Sequence, residues 1–295
     1  MALTLAEAAK LSNDVLLTGV IETILQDSPI LQAMPFVEIV GNGLTYNRED
    51  SAPSAAFVDV GDNWAESTPT FTQVTATLKI LGGDADIDNF LLSTRSNVQD
   101  LEAAVVQLKA KALRTKFEDT FVNGDTAVDS KSFDGIHKII PSGQTVSMGT
   151  NGATLTLAKL DELVDAVKGG KPHMLLMSRR TRRTLNSLAR SAGSFLETDR
   201  NEFGEMVTFY DGVPIGVCDH VKDDQTQGTS NNASGIYALQ LGEGAVAGLT
   251  APGGLQVDRL GSLEAKDATR IRVKWYVSLA VFNTIKTAKL IGVLP

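Results

Sequence analysis

The chain has 295 residues, 43% hydrophobic and 21% charged, enough for one large or two modest domains with a substantial core. Aromatic residues make up 6% and the formal charge is −8, which excludes the stacking platforms of a single-strand binder and the basic surface of a duplex-DNA binder. Cys218 is the only cysteine, so no intrachain disulfide forms; no apolar run of about 18 residues predicts a membrane span, and MALTLAEAAKLSNDV lacks a secretory signal's features.

Residues 4–27 carry a broad apolar stripe. Leu17, Ile21 and Leu25 recur at i+4, with Leu16, Val20 and Ile24 beside them, and Pro29 bars continuation. The pattern predicts a helix, either in the core or as an arm along a neighbouring subunit. Residues 36–80 read as extended. FVEIV and LTYNRE flank a Gly41-Asn42-Gly43 turn, and Val74, Ala76, Leu78 and Ile80 alternate with polar residues as a half-buried strand. The polar stretch NREDSAPSAAFVDVGDNWAESTPT between them is longer than a compact domain ordinarily allows without a purpose. A lone two-stranded ribbon is marginal in water, so an ordered one needs support from outside its own subunit.

Residues 93–122 predict the longest helix, capped by Ser93 or Ser96. Val98, Leu101, Val105, Leu108 and Ala112 mark a face that Leu113, Phe117 and Phe121 continue. About 30 residues at 1.5 Å each span roughly 45 Å. The segment FVNGDTAVDSKSFDGIHKII, residues 121–140, closes this helix with an Asn-Gly-Asp turn, and Phe133-Asp134-Gly135-Ile136 is expected to start an extended segment.

From 155 to 250 helix and strand alternate as a compact α/β unit. Thr156 caps a helix containing Leu160, Leu163, Val164 and Val167, ended by Gly169-Gly170. His173–Met177 reads as a short buried strand, and Ser178 caps a second helix that Gly193 ends. A polar loop, a strand pair in MVTFYDGVPIGVC, a mobile-looking DDQTQGTSNNASG and a strand IYALQL follow. Beyond 255, LQVDRL, TRIRVKWYVSLAVF and IKTAKLIGVL read as strands. Arg270, Arg272 and Lys274 alternate with Ile271, Val273 and Trp275, giving one wet face.

Motifs that carry chemistry fail on inspection. Asp84, Asp86 and Asp88 open like a calcium loop, but Asn89 and Arg95 stand where Gly and Glu are needed, so they read as a polar strand face. GEGAVAG, residues 242–248, follows a strand, yet Pro252-Gly253-Gly254 precludes the helix a dinucleotide site requires. His137, His173 and His220 are dispersed, and Cys218 reads as a buried structural residue. No catalytic, cofactor-binding or metal site is expected, and the chain does not read as an enzyme. Arg179, Arg180, Arg182, Arg183 and Arg190 form the one basic cluster. It is a solvated helix face, a partner for acids of a neighbouring copy, or a nucleic-acid contact. Arginine's bidentate geometry favours subunit contacts among the functional options.

Taken in order, these pieces resemble the major capsid proteins of tailed bacteriophages, the Hong Kong 97-like shell fold. The resemblance covers residues 70–295 and rests on the NGD turn, FDGI, HMLLMSRRTRRTLNSLARSAG, FYDGVPIGVCDHV, IYALQLGEGAVAGL and VKWYVSLAVFNTIKTAKL. It implies an α+β fold: an N-terminal arm at 1–37, an extended β-hairpin loop at 38–82, a peripheral domain at 83–150 and 252–281 with spine helix 93–122, and an α/β axial domain at 151–251 and 282–295. It implies a virion protein, assembled in the host cytoplasm, whose hexamers and pentamers build an icosahedral head around double-stranded DNA. Expected partners are further copies of itself, a portal protein, a decoration protein and packaged DNA held without sequence-specific contact. No membrane and no cofactor enter.

In such shells the extended loop lies over an adjacent subunit. That makes Trp64, beside Glu66, the expected anchor, Arg48, Glu49, Asp50 and Asp62 its charged rim, and Arg179, Arg180, Arg182 and Arg183 further interface residues. Some family members weld subunits by an isopeptide bond from a loop lysine. Residues 38–78 hold no lysine and Lys79 sits at the loop's base, so no covalent chainmail is expected. The space before residue 28 is too short for a built-in scaffold domain, which points to a separate scaffolding protein. The alternatives are an encapsulin shell, with residues 4–27 helping to form a cargo pocket, and an α/β enzyme of unknown chemistry.

Overall fold

The computed structural model describes residues 28–51, 55–61, 63, 64, 66, 68, 70–90, 101–193, 197–200 and 206–295. In chain order these form helix α1 (Pro29–Ala33), strands β1 (Phe36–Glu38), β2 (Gly43–Ser51), β3 (Thr70–Thr77) and β4 (Lys79–Asp88), and helix α2 (Leu101–Asn123). Helix α3 (Ile136–Ile139), strands β5 (Thr145–Ser147) and β6 (Ala153–Thr154), helix α4 (Leu157–Ala166), strand β7 (Met174–Met177) and helix α5 (Arg179–Ser191) follow. The remaining strands are β8 (Glu197–Arg200), β9 (Met206–Tyr210), β10 (Val213–Val217), β11 (Gln225–Gln227), β12 (Ser230–Leu239), β13 (Val246–Ser262), β14 (Ala268–Val281) and β15 (Thr287–Leu294). Nine strands join in the order β5-β15-β12-β7-β10-β9-β8, with β11 beside β12 and β6 beside β15; four join as β1-β13-β14-β4; β2 pairs with β3 alone.

Strand period explains the centre of the large sheet. All of Met174–Met177 is buried, because alternate side chains enter two different cores. Met174 and Leu176 join Tyr237 and Leu239 in a core with α2, whereas Leu175 and Met177 join Ile236 and Leu290 in a core with α4 and α5. Thr156 and Ser178 cap those two helices as the sequence predicts, accepting the amides of Lys159 at 3.4 Å and Thr181 at 3.2 Å. Asp211 and Gly212, with φ of 50° and 73°, make the tight left-handed turn between β9 and β10.

The buried stripe of α2 runs through Val106, Ala110, Leu113, Phe117 and Phe121. Leu108 and Ala112, expected on the core face, are exposed, because the stripe turns by one residue relative to that reading. The expected helix start at 93 and the helix at 4–27 lie outside the described residues. Phe117 stacks at tilted angles on Trp275 (5.1 Å), Phe133 (6.0 Å) and Phe36 (6.2 Å), tying α2 to β14 and β1.

Other expectations change. Phe133–Ile136 does not begin an extended segment; Gly135 is the N-cap of the short helix α3. The reason is a hydrogen-bonded corner after α2. The Gly124 amide donates to the Thr120 carbonyl at 2.8 Å and the Gly135 amide to the Gly124 carbonyl at 2.9 Å. Asp134 accepts the Thr126 amide at 2.8 Å and pairs with Lys138 at 2.9 Å. The DDQTQGTSNNASG stretch, read as mobile, holds the β11–β12 hairpin. Asn151 braces it, accepting the Thr229 amide at 3.2 Å and the Ser230 hydroxyl at 2.7 Å. Finally, β1 leaves the ribbon and pairs in parallel with β13.

The wet face of β14 carries an ion-pair ladder. Arg272 grips Asp84 at 2.6 and 2.8 Å, Arg270 grips Asp86 at the same distances, and Lys274 reaches Asp258 at 2.6 Å. Asp84 and Asp86 thus lie on a polar strand face, as read. Hydrogen bonds from Arg272 and Arg270 hold their carboxyls below the usual carboxylate range. A depressed folded-state pKa contributes stability at neutral pH that disappears as the pH falls through it.

Two outcomes are expected. In Gly124→Ala the added Cβ would lie 2.3 Å from the Phe133 carbonyl oxygen and 2.5 Å from that of Thr120. Denaturant titration of the unassembled subunit should show a loss of about 1–3 kcal/mol, and an unchanged midpoint would refute the corner's role. The thermal midpoint should fall as the pH drops below about 4, and more shallowly in the double variant Arg270→Gln, Arg272→Gln. Identical acid profiles for the two proteins would remove the ladder from the account.

Candidate assembly interface

The β2–β3 ribbon is paired in register from Gly43 opposite Thr77 to Ser51 opposite Thr70, with a bulge between Glu49 and Ser51. Its base is rooted in the body. Leu44, Tyr46, Ala76 and Leu78 pack around Ile39, Leu249 and Ala280. The Tyr46 hydroxyl donates to the Val281 carbonyl at 3.1 Å, and its ring lies 4.8 Å from Phe282.

The far end of the ribbon is bare. Trp64 is 82% exposed, Phe71 62%, and Phe57 and Val60 fully so. Covering a side chain of this size is worth about 1.5–3 kcal/mol, so the uncovered set is a substantial unspent driving force. Trp64 and Glu66 are both exposed. Arg48 is half-buried on β2, and its Nε has no hydrogen-bond partner. Glu49 and Asp50 belong to the same strand, their side chains lying outside the described set, as does the whole of Asp62. Phe57, Val60 and Phe71 were not singled out from sequence. The available signal was large apolar residues inside a long polar segment.

The arginine cluster on α5 divides in two. Arg179 makes a bidentate pair with Asp219 at 2.5 and 2.8 Å. Arg180 donates to the Asn232 carbonyl at 2.8 Å and lies 3.4 Å from Asp223, which also accepts the Ser178 hydroxyl at 2.6 Å. These carboxylates at the helix N-terminus offset the unfavourable placement of arginine there. Sequence reasoning missed both, although CDHVKDD displays them. Arg182 and Arg183 are exposed, and their side chains make no hydrogen bond or ion pair among the described residues.

The groups weighed for catalysis are packed as structure. Burial pushes the Cys218 thiol up to about 12, leaving it protonated and inert at neutral pH. His220 lies 3.8 Å from Glu118, whose carboxyl burial raises above its ordinary value. Among the described residues, no group of His, Cys, Asp and Glu could hold a metal ion, and no helix is long and apolar enough to cross a membrane.

Comparison with known proteins agrees with this geometry. No curated protein matches the chain. Among solved structures, the holo-SrpI encapsulin complex of Synechococcus elongatus aligns with TM-score 0.69 and 20% identity, over 91% of this chain and 88% of that one. A structure from Microbacterium phage Oxtober96 aligns with TM-score 0.65 and 15% identity, over 91% of each chain. The virus-like particle of Pyrococcus furiosus aligns with TM-score 0.57 and 12% identity, over 95% of this chain and 99% of that one. At such identities the likeness shows a shared fold, the Hong Kong 97-like α+β architecture. A model of the phage capsid family matches residues 11–290. The chain belongs to the phage capsid family and is a shell-forming capsid protein with that fold.

Proposed function

We propose that this chain is the major capsid protein of a tailed phage, joining as hexamers and pentamers into an icosahedral head around double-stranded DNA. The observation that carries the reading is the ribbon with its uncovered Phe57, Val60, Trp64 and Phe71, on a chain whose family builds shells. Such an end is costly on a solitary subunit and productive once a sister copy lies beneath it. In this reading residues 1–37 are an arm and 38–82 the overlapping loop. Residues 83–150 and 252–281 make the peripheral domain, and 151–251 with 282–295 the axial domain. Arg48, Glu49, Asp50, Asp62 and Glu66 rim the Trp64 contact. Arg182 and Arg183, with Arg179 and Arg180 behind them, meet acids of a neighbour. The chain works as a wall and not as an enzyme. A separate scaffolding protein, a portal and a decoration protein complete the assembly in the host cytoplasm, and the acidic surface lets DNA fill the shell without adhering to it.

The encapsulin neighbour supports a second reading, a compartment that packages protein cargo. Nucleic acid inside purified particles decides for the phage head, and protein cargo without nucleic acid decides against it.

Trp64→Ala, and separately Arg182→Glu with Arg183→Glu, should each lower shell yield in electron micrographs while leaving the subunit's unfolding midpoint unchanged. An interface anchor of this type is worth about 2 kcal/mol per contact. Normal yields would return the altered residues to the role of solvated surface. The Lys79 ammonium donates to the Ser130 carbonyl at 2.8 Å within its own subunit, which supports a shell without isopeptide links. Particles boiled in detergent should run as single chains of 31.4 kDa, and a ladder of covalent multimers would overturn that part.

A further inference from the structure

A concavity of about 760 Å³ lies where five separate stretches of chain converge, from the end of α2 at Asn123 to β15 at Lys289 and Ile291. It belongs neither to the ribbon nor to the α5 cluster. Its lining holds two lysines, Lys222 and Lys289, and a histidine, His137, against one carboxylate, Asp224.

Neither lysine has a counter-charge among the described residues. The Lys289 ammonium donates to the His137 carbonyl at 2.7 Å and forms no ion pair among the described residues. Burial alone holds it below its ordinary pKa, the signature of a charge with no counter-charge beside it. Lys222 is exposed and makes no hydrogen bond or ion pair among the described residues. The His137 Nδ1 meets the Tyr237 hydroxyl at 2.9 Å, and His137 lines the cavity. Partial burial, then Lys289 and Lys222, keep that ring below its usual pKa. The arrangement offers donors that an anion would satisfy, and no Phe, Tyr or Trp lines it.

We propose that this cavity receives carboxylates from the extended loop of a second copy of the chain. The inference rests on the loop reading above. Residues 48–66 carry Glu49, Asp50, Asp59, Asp62 and Glu66 against Arg48 alone, the charge complement of the cavity. The same segment bears the bare Phe57, Val60 and Trp64, which require a surface beyond their own subunit. A chain of net charge −8 must meet its acidic excess with dedicated basic seats if copies are to pack closely.

Zero-length carbodiimide coupling, which joins a lysine to a carboxylate only in contact, tests this on shells assembled from isotope-labelled and unlabelled chains. Mass spectrometry should find Lys222 or Lys289 joined to an acid of residues 48–66 in mixed-label pairs. The exposed-site variant Lys222→Glu should raise the critical concentration for assembly about tenfold, one interfacial ion pair's worth, and Glu66→Lys in the same chain should restore it. Loop acids joined to other lysines of a neighbour would overturn the cavity assignment and leave the loop reading standing. Loop acids joined only within their own subunit would overturn both. Lysines that couple in empty shells but are shielded in filled ones would give the cavity to nucleic acid instead.

Discussion

Phe117 is fully buried, and its ring meets Phe36, Phe121, Phe133 and Trp275 at centroid distances of 5.1–6.3 Å. That one contact group joins α2, β1, β14 and the corner after α2. An aromatic side chain so placed is worth about 3–5 kcal/mol, a large share of a domain's net stability of about 5–15 kcal/mol. The same helix buries Val106, Ala110, Leu113 and Phe121, so Phe117 sits at the centre of a continuous stripe. Trp275 completes the group by donating its Nε1 hydrogen to the Thr250 hydroxyl at 3.1 Å, which fixes the ring and pins β13 against β14. With helix and strands locked, the base of the ribbon has a rigid frame from which to project.

The frame also governs how charge is spent. Arg179, Arg270, Arg272, Lys138 and Lys274 all pair with carboxylates of their own subunit. Such exposed pairs stabilise little individually. Their consequence is subtractive: they remove cations from the surface of a chain that already carries −8. Several cations among the described residues have no ion pair, and four of them cluster in two places. Arg182 and Arg183 stand on one helix face, and Lys222 and Lys289 line one cavity. Residues 48–66 hold five carboxylates against one arginine.

Much of the fold was legible because local chemistry and tertiary placement agree. The Thr156 and Ser178 caps, the Asp211-Gly212 turn and the apolar run of β7 each have one physical solution, and the structure adopts it. The failures share a cause as well. At Asp134-Gly135 a corner built from side-chain and backbone hydrogen bonds overrides a strand-like pattern. At Gln225–Ser230 polar residues are ordered by Asn151, far away in sequence. On α2, apolar residues at both 105 and 106 and at both 112 and 113 made two stripes equally readable, and only packing against Trp275 selects one. Among the residues proposed for contact, Trp64 stood out in sequence as a large apolar residue in a polar segment. Lys222, Lys289 and His137 did not, because nothing local in a sequence signals that five separate stretches of chain converge on one cavity.

The ribbon's acids and its bare apolar side chains act at different distances, and this decides when copies adhere. Like charges repel across about 8 Å at physiological salt, whereas apolar burial acts only at contact. Two copies approaching at low ionic strength therefore meet the acidic field before Trp64 can be covered. Added salt shortens that field without weakening the apolar term. Seating the loop's carboxylates against unpaired lysines or arginines has the same effect locally and in one orientation. In the proposed overlap, relief of repulsion and burial of Trp64 would occur in a single step, while any other approach would leave the repulsion in place. Under the proposed overlap, charge placement would select orientation, and with it the closure of rings instead of open filaments, and apolar contact would hold it.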